Sequence, residues 1–339
     1  MIKIGKKVFP VLITLLISSC GLSTLRVSDL DENNKVLVEV NDIKPLLRIS
    51  SWSRKAVLPY GGMENLFVAY LDDFVYSIGG DDGFAKLPTI YAYDIKKNEW
   101  KTKSPLFTAR TNSSGAVIDS KIYIVGGFSS TNNYLSSLEV YDPSTDKSDN
   151  TKLAMTYSRS GHGAVNIGGK LYVVGGKNDS GFLNSLEIYT PATNTWTLGS
   201  QMTFPRTNVG VATVNNKLYA IGGEDQSGFV NAIEEFNPIR NEWKTLETKL
   251  IVSRKNFSVA TLDGNIFIMG GKDENNNYLD SIEVFNPALN KIQTNPMKLM
   301  RPNSSFSSTG VNDTIYLVGG VGTSIFNTLE LGKAVVVKE

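Results

Sequence analysis

The sequence predicts an all-β fold in which six repeats of four short strands are arranged radially in a closed ring. Six Gly-Gly doublets, each at the end of an apolar run, recur along the chain at intervals of 47 to 49 residues, and their first glycines are residues 79, 126, 175, 222, 270 and 319. Short apolar segments bounded by turn residues lie between the doublets, as expected of β-strands. A single repeat cannot bury both of its faces, but repeats packed around an axis bury them against each other and leave few free edges.

Each repeat shows the same four elements in order. A first apolar strand, such as Gly163-Ala164-Val165, precedes a second strand that ends at the doublet and carries an aromatic residue three positions before it. A third strand follows, such as Leu186-Glu187-Ile188-Tyr189, and a fourth begins at a Trp seven residues after the last aromatic residue, as at Trp196. The doublet glycines allow a sharp turn where a Cβ atom would clash with the next repeat.

This pattern resembles the kelch repeat, in which an aromatic residue and Gly-Gly are followed by a Glu-x-Tyr-Asp-Pro segment and a Trp. The resemblance covers residues 63–331 and implies a six-bladed β-propeller. Ser148 and Ile292 stand where the second and fifth repeats should have Trp. The sixth repeat also lacks a Trp after its third strand. Trp52 precedes the first repeat and belongs to none of the six. We therefore predict that residues near 48–54 form the fourth strand of the last blade, with residues 334–337 as the alternative.

The amino-terminal segment is predicted to be a targeting sequence rather than part of the propeller. Three lysines precede an apolar run of about ten residues, which is too short to span a bilayer but suits a signal peptide. The run ends Ile17-Ser18-Ser19-Cys20, which resembles the bacterial lipobox and implies acylation of Cys20. The predicted segments are a signal peptide at 1–19, a lipidated Cys with a polar tether at 20–45, and the propeller at 46–339. We expect a monomer anchored by lipid in the bacterial cell envelope, at the outer membrane.

Charged residues recur once per repeat before the doublet and again in the third strand. The first set is Arg110, Arg159, Arg206, Arg254 and Arg301, and the second is Glu139, Glu187, Glu234, Glu283 and Glu330. A ring of ligand-binding charges is one interpretation. We favour buried Arg–Glu pairs within or between blades, because an unpaired buried charge is costly.

Asparagines follow the Arg position by two residues and are candidate ligand-binding groups. The candidates are Asn65, Asn112, Asn208, Asn256 and Asn303, with Gly161 and His162 interrupting the set in the third repeat. They open the innermost strands and are therefore expected to line the mouth of the central channel, where an amide can donate and accept hydrogen bonds. The alternative is turn chemistry, because Asn favours such bends.

Composition excludes several functions. The net charge of +1 gives no general reason to expect nucleic-acid binding. One Cys and one His exclude zinc sites built from several such ligands within one chain, and the copper site of the kelch-type galactose oxidase. We predict no metal and no cofactor.

Two function classes remain open. The favoured one is a non-enzymatic module that presents the channel mouth and its loops to a protein or glycan ligand. The alternative is a periplasmic sugar-processing enzyme that resembles N-acetylneuraminate epimerase. An unpaired Glu or Arg in a deep funnel would favour the enzyme, whereas paired charges and a shallow, Asn-lined mouth would favour binding.

Overall fold

The computed structural model describes residues 45–337 continuously and, before them, only three strands: Leu12–Leu15, Ser23–Leu30 and Val36–Asp42. These three strands form one antiparallel sheet, and the last two lie within the segment predicted as a tether. The predicted acylation site at Cys20 lies outside the described residues. In the part of the chain that is described, no helix has the length and apolar character needed to cross a membrane.

Residues 47–336 form six antiparallel sheets of four strands each, which confirms the predicted six-bladed propeller. From the channel outward, the strands of the first three blades are Phe67–Leu71, Phe74–Ile78, Ile90–Asp94 and Glu99–Lys103; Ser114–Ile118, Lys121–Val125, Leu138–Asp142 and Lys147–Asp149; Gly163–Ile167, Lys170–Val174, Leu186–Thr190 and Thr195–Leu198. Those of the last three are Gly210–Val214, Lys217–Ile221, Ala232–Asn237 and Glu242–Lys249; Ser258–Leu262, Asn265–Met269, Ile282–Asn286 and Lys291–Thr294; Ser307–Val311, Thr314–Val318, Leu329–Val336 and Leu47–Arg54. The innermost strands contact one another in cyclic order, and the last contacts the first.

The sixth blade is closed by the amino-terminal strand, as the spare Trp52 predicted. Leu47–Arg54 pairs with Leu329–Val336, with Trp52 opposite Gly332. A Cβ atom on Gly332 would lie 2.8 Å from the Trp52 ring, so glycine leaves the space that the indole occupies. The alternative closure by residues 334–337 is wrong, because residues up to Val336 continue the third strand of that blade.

The recurrent aromatic residues pack adjacent blades together. The second-strand Tyr123 lies 6.2 Å, centroid to centroid, from Tyr189 in the third strand of the next blade, and Tyr219 lies 5.9 Å from Phe285 in the same relation. Each doublet glycine has a positive φ, and a Cβ atom on Gly126 would lie 2.8 Å from the carbonyl oxygen of Arg159 in the following repeat. The repeat pattern therefore encodes the contact between blades as well as the strands.

In three blades, an indole group of the outer strand donates a hydrogen bond to the segment that leaves the preceding blade. Trp196 Nε1 donates to the carbonyl oxygen of Leu153 at 2.9 Å, in the segment that leaves the preceding blade. In the second blade, Ser148 Oγ donates to the carbonyl oxygen of Pro105 at 3.0 Å and replaces that bond without filling the same space. Ile292 has no polar side-chain atom with which to make it.

Candidate functional site

The channel mouth is framed by six residues that directly precede the innermost strands. Each has left-handed backbone geometry, with φ between 50° and 64°. They are Asn65, Asn112, Gly161, Asn208, Asn256 and Ser305. We call these six residues the mouth ring. Because Asn and Gly tolerate this conformation better than most residues, the recurrence of Asn has a backbone cause.

Backbone hydrogen bonds join the mouth ring around the channel. The amide of Asn112 donates to the carbonyl oxygen of Asn65 at 2.9 Å, and that of Asn208 donates to Gly161 at 2.7 Å. The amide of Asn65 donates to Ser305 at 2.6 Å, and within the described residues such bonds join five of the six neighbouring pairs; the pair Asn208 and Asn256 is the exception. These bonds hold the six blades in register at their inner ends, which supports the turn-chemistry interpretation of the asparagines.

The asparagine side chains nevertheless remain available at the mouth. The ring borders a cavity of about 100 Å³ whose other lining residues include Ser113 and His162. The Asn208 amide donates to Glu224 at 3.0 Å. Within residues 45–337, the amides of Asn65, Asn112 and Asn256 have no side-chain hydrogen-bond partner. The cavity is thus small and lined by uncharged side chains, namely amides that can donate and accept and apolar groups such as Leu66 and Phe257.

Asn303 does not occupy the predicted position at the mouth. Its side chain is buried, and Nδ2 donates to the carbonyl oxygen of Gly319 at 3.1 Å. In four other repeats the corresponding glycine carbonyl accepts from an arginine, as Gly175 does from Arg159 at 2.8 Å. Asn303 therefore takes the arginine position, and Ser305 takes the ring position. The sequence spacing could have shown this, because the mouth-ring residue stands fourteen positions before the doublet in every repeat.

Four of the five predicted charge pairs are enclosed ion pairs. Arg159 lies 2.7 Å from Glu187 and Arg254 lies 2.6 Å from Glu283, with all four side chains essentially inaccessible to solvent. The two further pairs of this kind are Arg110 with Glu139 and Arg206 with Glu234. Burial lowers the pKa of each arginine and the partner carboxylate opposes that shift, so the carboxylate is what keeps the guanidinium charged in the interior.

These pairs also hold the loop that enters each blade. The Glu187 carboxylate accepts from the backbone amides of Thr156 at 2.7 Å and Tyr157 at 3.1 Å, and Glu283 does the same for Ile251 and Val252. Each acid therefore joins a strand, an arginine and a loop, and its lone pairs are directed into the blade. The charges make a structural frame and are turned away from the mouth.

The fifth pair differs because Arg301 lies two residues earlier in its repeat. Its guanidinium stacks 3.6 Å from the Phe326 ring centroid and donates to Glu330 at 3.2 Å, with about a quarter of the side chain exposed (26%). Arg54 of the closing strand lies 3.7 Å from the same carboxylate. Burial raises the pKa of Glu330, and both arginines counter that shift. Glu330 thus links the closing strand to the last blade.

His162 is a buried neutral imidazole beside the mouth cavity. Its Nε2 lies 3.1 Å from the carbonyl oxygen of Val125, and a Cβ atom on Gly126 would meet its ring. Burial, together with the positive charge of Arg159, lowers the pKa of His162 to about 3. The group is therefore uncharged at neutral pH, and its ring fills space between the second and third blades.

Charged residues above the mouth ring were not singled out from the sequence. Glu224 accepts from the Lys255 ammonium at 2.8 Å, and Lys255 also lies 5.1 Å from the Phe229 ring centroid. On the far side, burial and the nearby Asp81 raise the pKa of Glu64. Their place in the sequence could have indicated them, because Glu64 and Lys255 directly precede asparagines of the mouth ring. Among the described residues, no group of three or more His, Cys, Asp or Glu side chains is arranged to hold a metal ion.

Comparison with known proteins agrees with this geometry. The model of the KLHDC2/KLHL20/DRC7 Kelch-repeats domain matches residues 64–204 and 155–320. Kelch-like protein 40 of Mus musculus is 34% identical over 126 residues, which are 37% of this chain and 20% of that protein. Kelch-like protein 26 of Danio rerio is 30% identical over 109 residues, or 32% of this chain and 18% of that protein. The matched segment thus spans about a fifth of these relatives.

A solved structure shows the same fold at low sequence identity. The chain described as "Structure of YjhT" superimposes with a TM-score of 0.72 and is 16% identical in sequence. The alignment covers 84% of this chain and 99% of that one. The similarity concerns the propeller architecture alone.

Proposed function

The chain belongs to the KLHDC2/KLHL20/DRC7 Kelch-repeats domain family, and from this premise we propose that it is a non-enzymatic binding module. The mouth face of the propeller is its ligand surface, and its ligand is a protein. A kelch propeller is a scaffold for protein recognition, and its specificity lies in the loops that the rigid blades display.

The observation that carries the proposal is the pairing of the repeated charges. The four enclosed arginines are each bound to a glutamate and a glycine carbonyl within their own blade, so none of them faces the channel. Proton transfer to a substrate needs an acid or base within hydrogen-bond reach of it. The mouth ring itself offers amides, and Glu224 beside it is bound by Lys255, which favours recognition over such chemistry; Glu64 is the acid that an enzyme would use there.

The loops around the first blade favour a protein partner. Three large apolar side chains are exposed there on the mouth side: Phe84 (98%), Tyr60 (75%) and Phe107 (63%). Exposed aromatic side chains commonly become the anchors of protein interfaces, where they enter pockets of the partner. The amides of the mouth ring would then supply hydrogen bonds at the centre of the same surface.

We further propose that the module is attached to the bacterial outer membrane through acylated Cys20. The support for this is the lipobox-like sequence, in which the sole cysteine stands at the expected cleavage point. Two or more acyl chains anchor a protein stably, whereas one does so only marginally. Mass spectrometry of the mature amino-terminal peptide tests this part separately, and an unmodified Cys20 would refute it.

Affinity capture tests the ligand surface. The chain carrying Cys20→Ser is used as bait on solubilised envelope proteins, with mass spectrometric identification of what is retained. The double variant Phe84→Ser/Tyr60→Ser is expected to lose the captured partner, whereas Leu198→Ser, at an exposed apolar site (59%) on an outer strand, is expected to keep it. Equal capture by all three proteins, or retention of glycans alone on an array, would contradict a protein ligand at the mouth.

A further inference from the structure

A groove lies on the face opposite the mouth, between the fourth and fifth blades. It has a volume of about 570 Å³ and is bordered by the Asn215–Asn216 turn of the fourth blade and by the turn at Pro287 of the fifth. A second cavity of about 250 Å³ lies on the other side of the same turn, against Gly168 and Gly169 of the third blade. Asn215 and Asn216 line both cavities, so the two cavities are neighbours, one on each side of this turn.

An unusual acid stands in this groove. Glu235 lies opposite Tyr219, the aromatic residue of the second strand, at a position where the other five blades carry apolar residues. Those residues are Ala92, Val140, Ile188, Val284 and Leu331. Its Oε2 accepts from the Tyr219 hydroxyl at 2.8 Å, and its Oε1 lies 3.1 Å from the Lys217 ammonium. A paired charge at a site that can be apolar is often no more stable than the apolar residue, so folding gives little reason for it.

The groove combines polar and apolar surface. Lys244 stands directly across the strand pair from Glu235, and the Asn215 and Asn216 amides have no hydrogen-bond partner within residues 45–337. Ile239, which is 77% exposed, and Leu246 supply an apolar wall. The cavity size is that of an ordinary small-ligand site.

We propose that this groove binds a neutral oligosaccharide. Sugar hydroxyls both donate and accept, which matches a carboxylate with free lone pairs beside ammonium and amide donors. The apolar C–H face of a sugar ring matches the Ile239 and Leu246 wall. A ligand carboxylate would be repelled by Glu235 and a ligand amine by Lys217 and Lys244, so the alternating charges favour an uncharged ligand. The shared Asn215–Asn216 turn fits a chain of sugars that extends from one cavity into the next.

The proposal is independent of the mouth face. Residues 208 and 215 lie at opposite ends of the strand Gly210–Val214, and a strand of five residues is about 17 Å long. A ligand in the groove therefore does not touch the mouth ring.

Calorimetric titration of the full chain carrying Cys20→Ser tests the groove. The probes are maltotriose, cellotriose and triacetylchitotriose, and at least one is expected to bind in the millimolar range or tighter. Glu235→Val introduces the residue type of the other blades and is expected to weaken that binding by about tenfold or more while leaving the melting temperature equal or higher. A structural role for Glu235 would instead lower the melting temperature.

Two control variants separate this site from other sources of binding. Glu242→Gln removes an acid from the outer strand of the same blade outside the groove, and Asn256→Ser alters the mouth ring. Both are expected to bind the trisaccharide like the parent protein. Failure of all three probes to bind would overturn the proposal, and so would a loss of binding in Asn256→Ser without one in Glu235→Val. Neither result would affect protein capture at the mouth.

Discussion

At the scale of single residues, five of the six blades use a polar side chain at one equivalent position to bind the same backbone carbonyl group. The first doublet glycine presents a carbonyl oxygen that needs a donor, and an arginine supplies it in four blades. In the sixth blade Asn303 supplies it from the same position, and Arg301 stacks on Phe326 instead. The position therefore selects for a donor that reaches the carbonyl, and the full positive charge is dispensable where the glutamate finds other partners.

His162 should make stability depend on pH in a window where few other groups titrate. The unfolded histidine takes up a proton near its ordinary pKa of 6.5, whereas burial keeps the folded group neutral until about pH 3. The unfolded state thus binds more protons, and stability falls as pH decreases through 6.5. Between pH 7.5 and 5.5 the loss attributable to His162 is expected to be about 1.4 kcal/mol.

Urea denaturation of the parent protein and of His162→Gln at both pH values measures this effect. The carboxylates titrate alike in the two proteins, so their contribution cancels in the difference. For the variant, the free energy of unfolding is expected to lack this decrease of about 1.4 kcal/mol, which corresponds to the uptake of about one proton over one pH unit. A parallel pH dependence of the two proteins would show that folding does not change the pKa of the imidazole.

At the scale of elements, the repeat pattern predicted most of the blades because it records contacts between neighbours. Aromatic residues three positions before the doublets were visible in the sequence, and the structure pairs them across blades. The position of Asn303 was missed because its repeat contains two extra residues after the arginine. Glu235 was missed for another reason: it occurs in one blade and not in the other five, so the repeat pattern does not include it. The groove that it borders is visible only in the folded chain.

The amino-terminal strand should be required for the sixth blade. Truncation of the chain to begin at Val57 removes Leu47–Arg54, including the buried Leu47 and Ile49, and exposes the edge of Leu329–Val336. Burial of two such side chains contributes about 3–6 kcal/mol, so the melting temperature is expected to fall by about 10 °C or more.

The matched control begins at Pro45 and keeps the strand. Thermal unfolding of the two truncated proteins, followed by circular dichroism, compares them directly. Equal melting temperatures would mean that the closing strand adds nothing to the sheet it completes.

At the scale of the whole molecule, the six blades form a continuous ring. Its two ends meet as neighbouring strands of one blade, with Leu47 opposite Val336, so the chain closes the circle by hydrogen bonds and not by a covalent link. Glu330 reinforces the same junction through Arg54 of the closing strand. The other five blades are each continuous in sequence, and the sixth is the seam of the propeller.

A circular permutant should therefore fold. A short Gly/Ser linker joins residue 337 to residue 45, and new ends are made between Asp179 and Ser180, in an exposed loop of the third blade. Every blade keeps its four strands, and the seam becomes covalent. The melting temperature is expected to stay within a few degrees of that of a linear chain beginning at Pro45, because one loop is opened while another is closed.

A second permutant, with the same linker but new ends between Tyr172 and Val173, supplies the contrast. Its break falls inside a buried strand that pairs on both sides, at Lys170–Val174, and it is expected not to give a cooperative unfolding transition. If both permutants melted alike, the blades would not be the cooperative units of the ring. If both failed, the hydrogen-bonded seam between Leu47 and Val336 would be a place where the chain cannot tolerate covalent closure, contrary to the antiparallel pairing of its two ends.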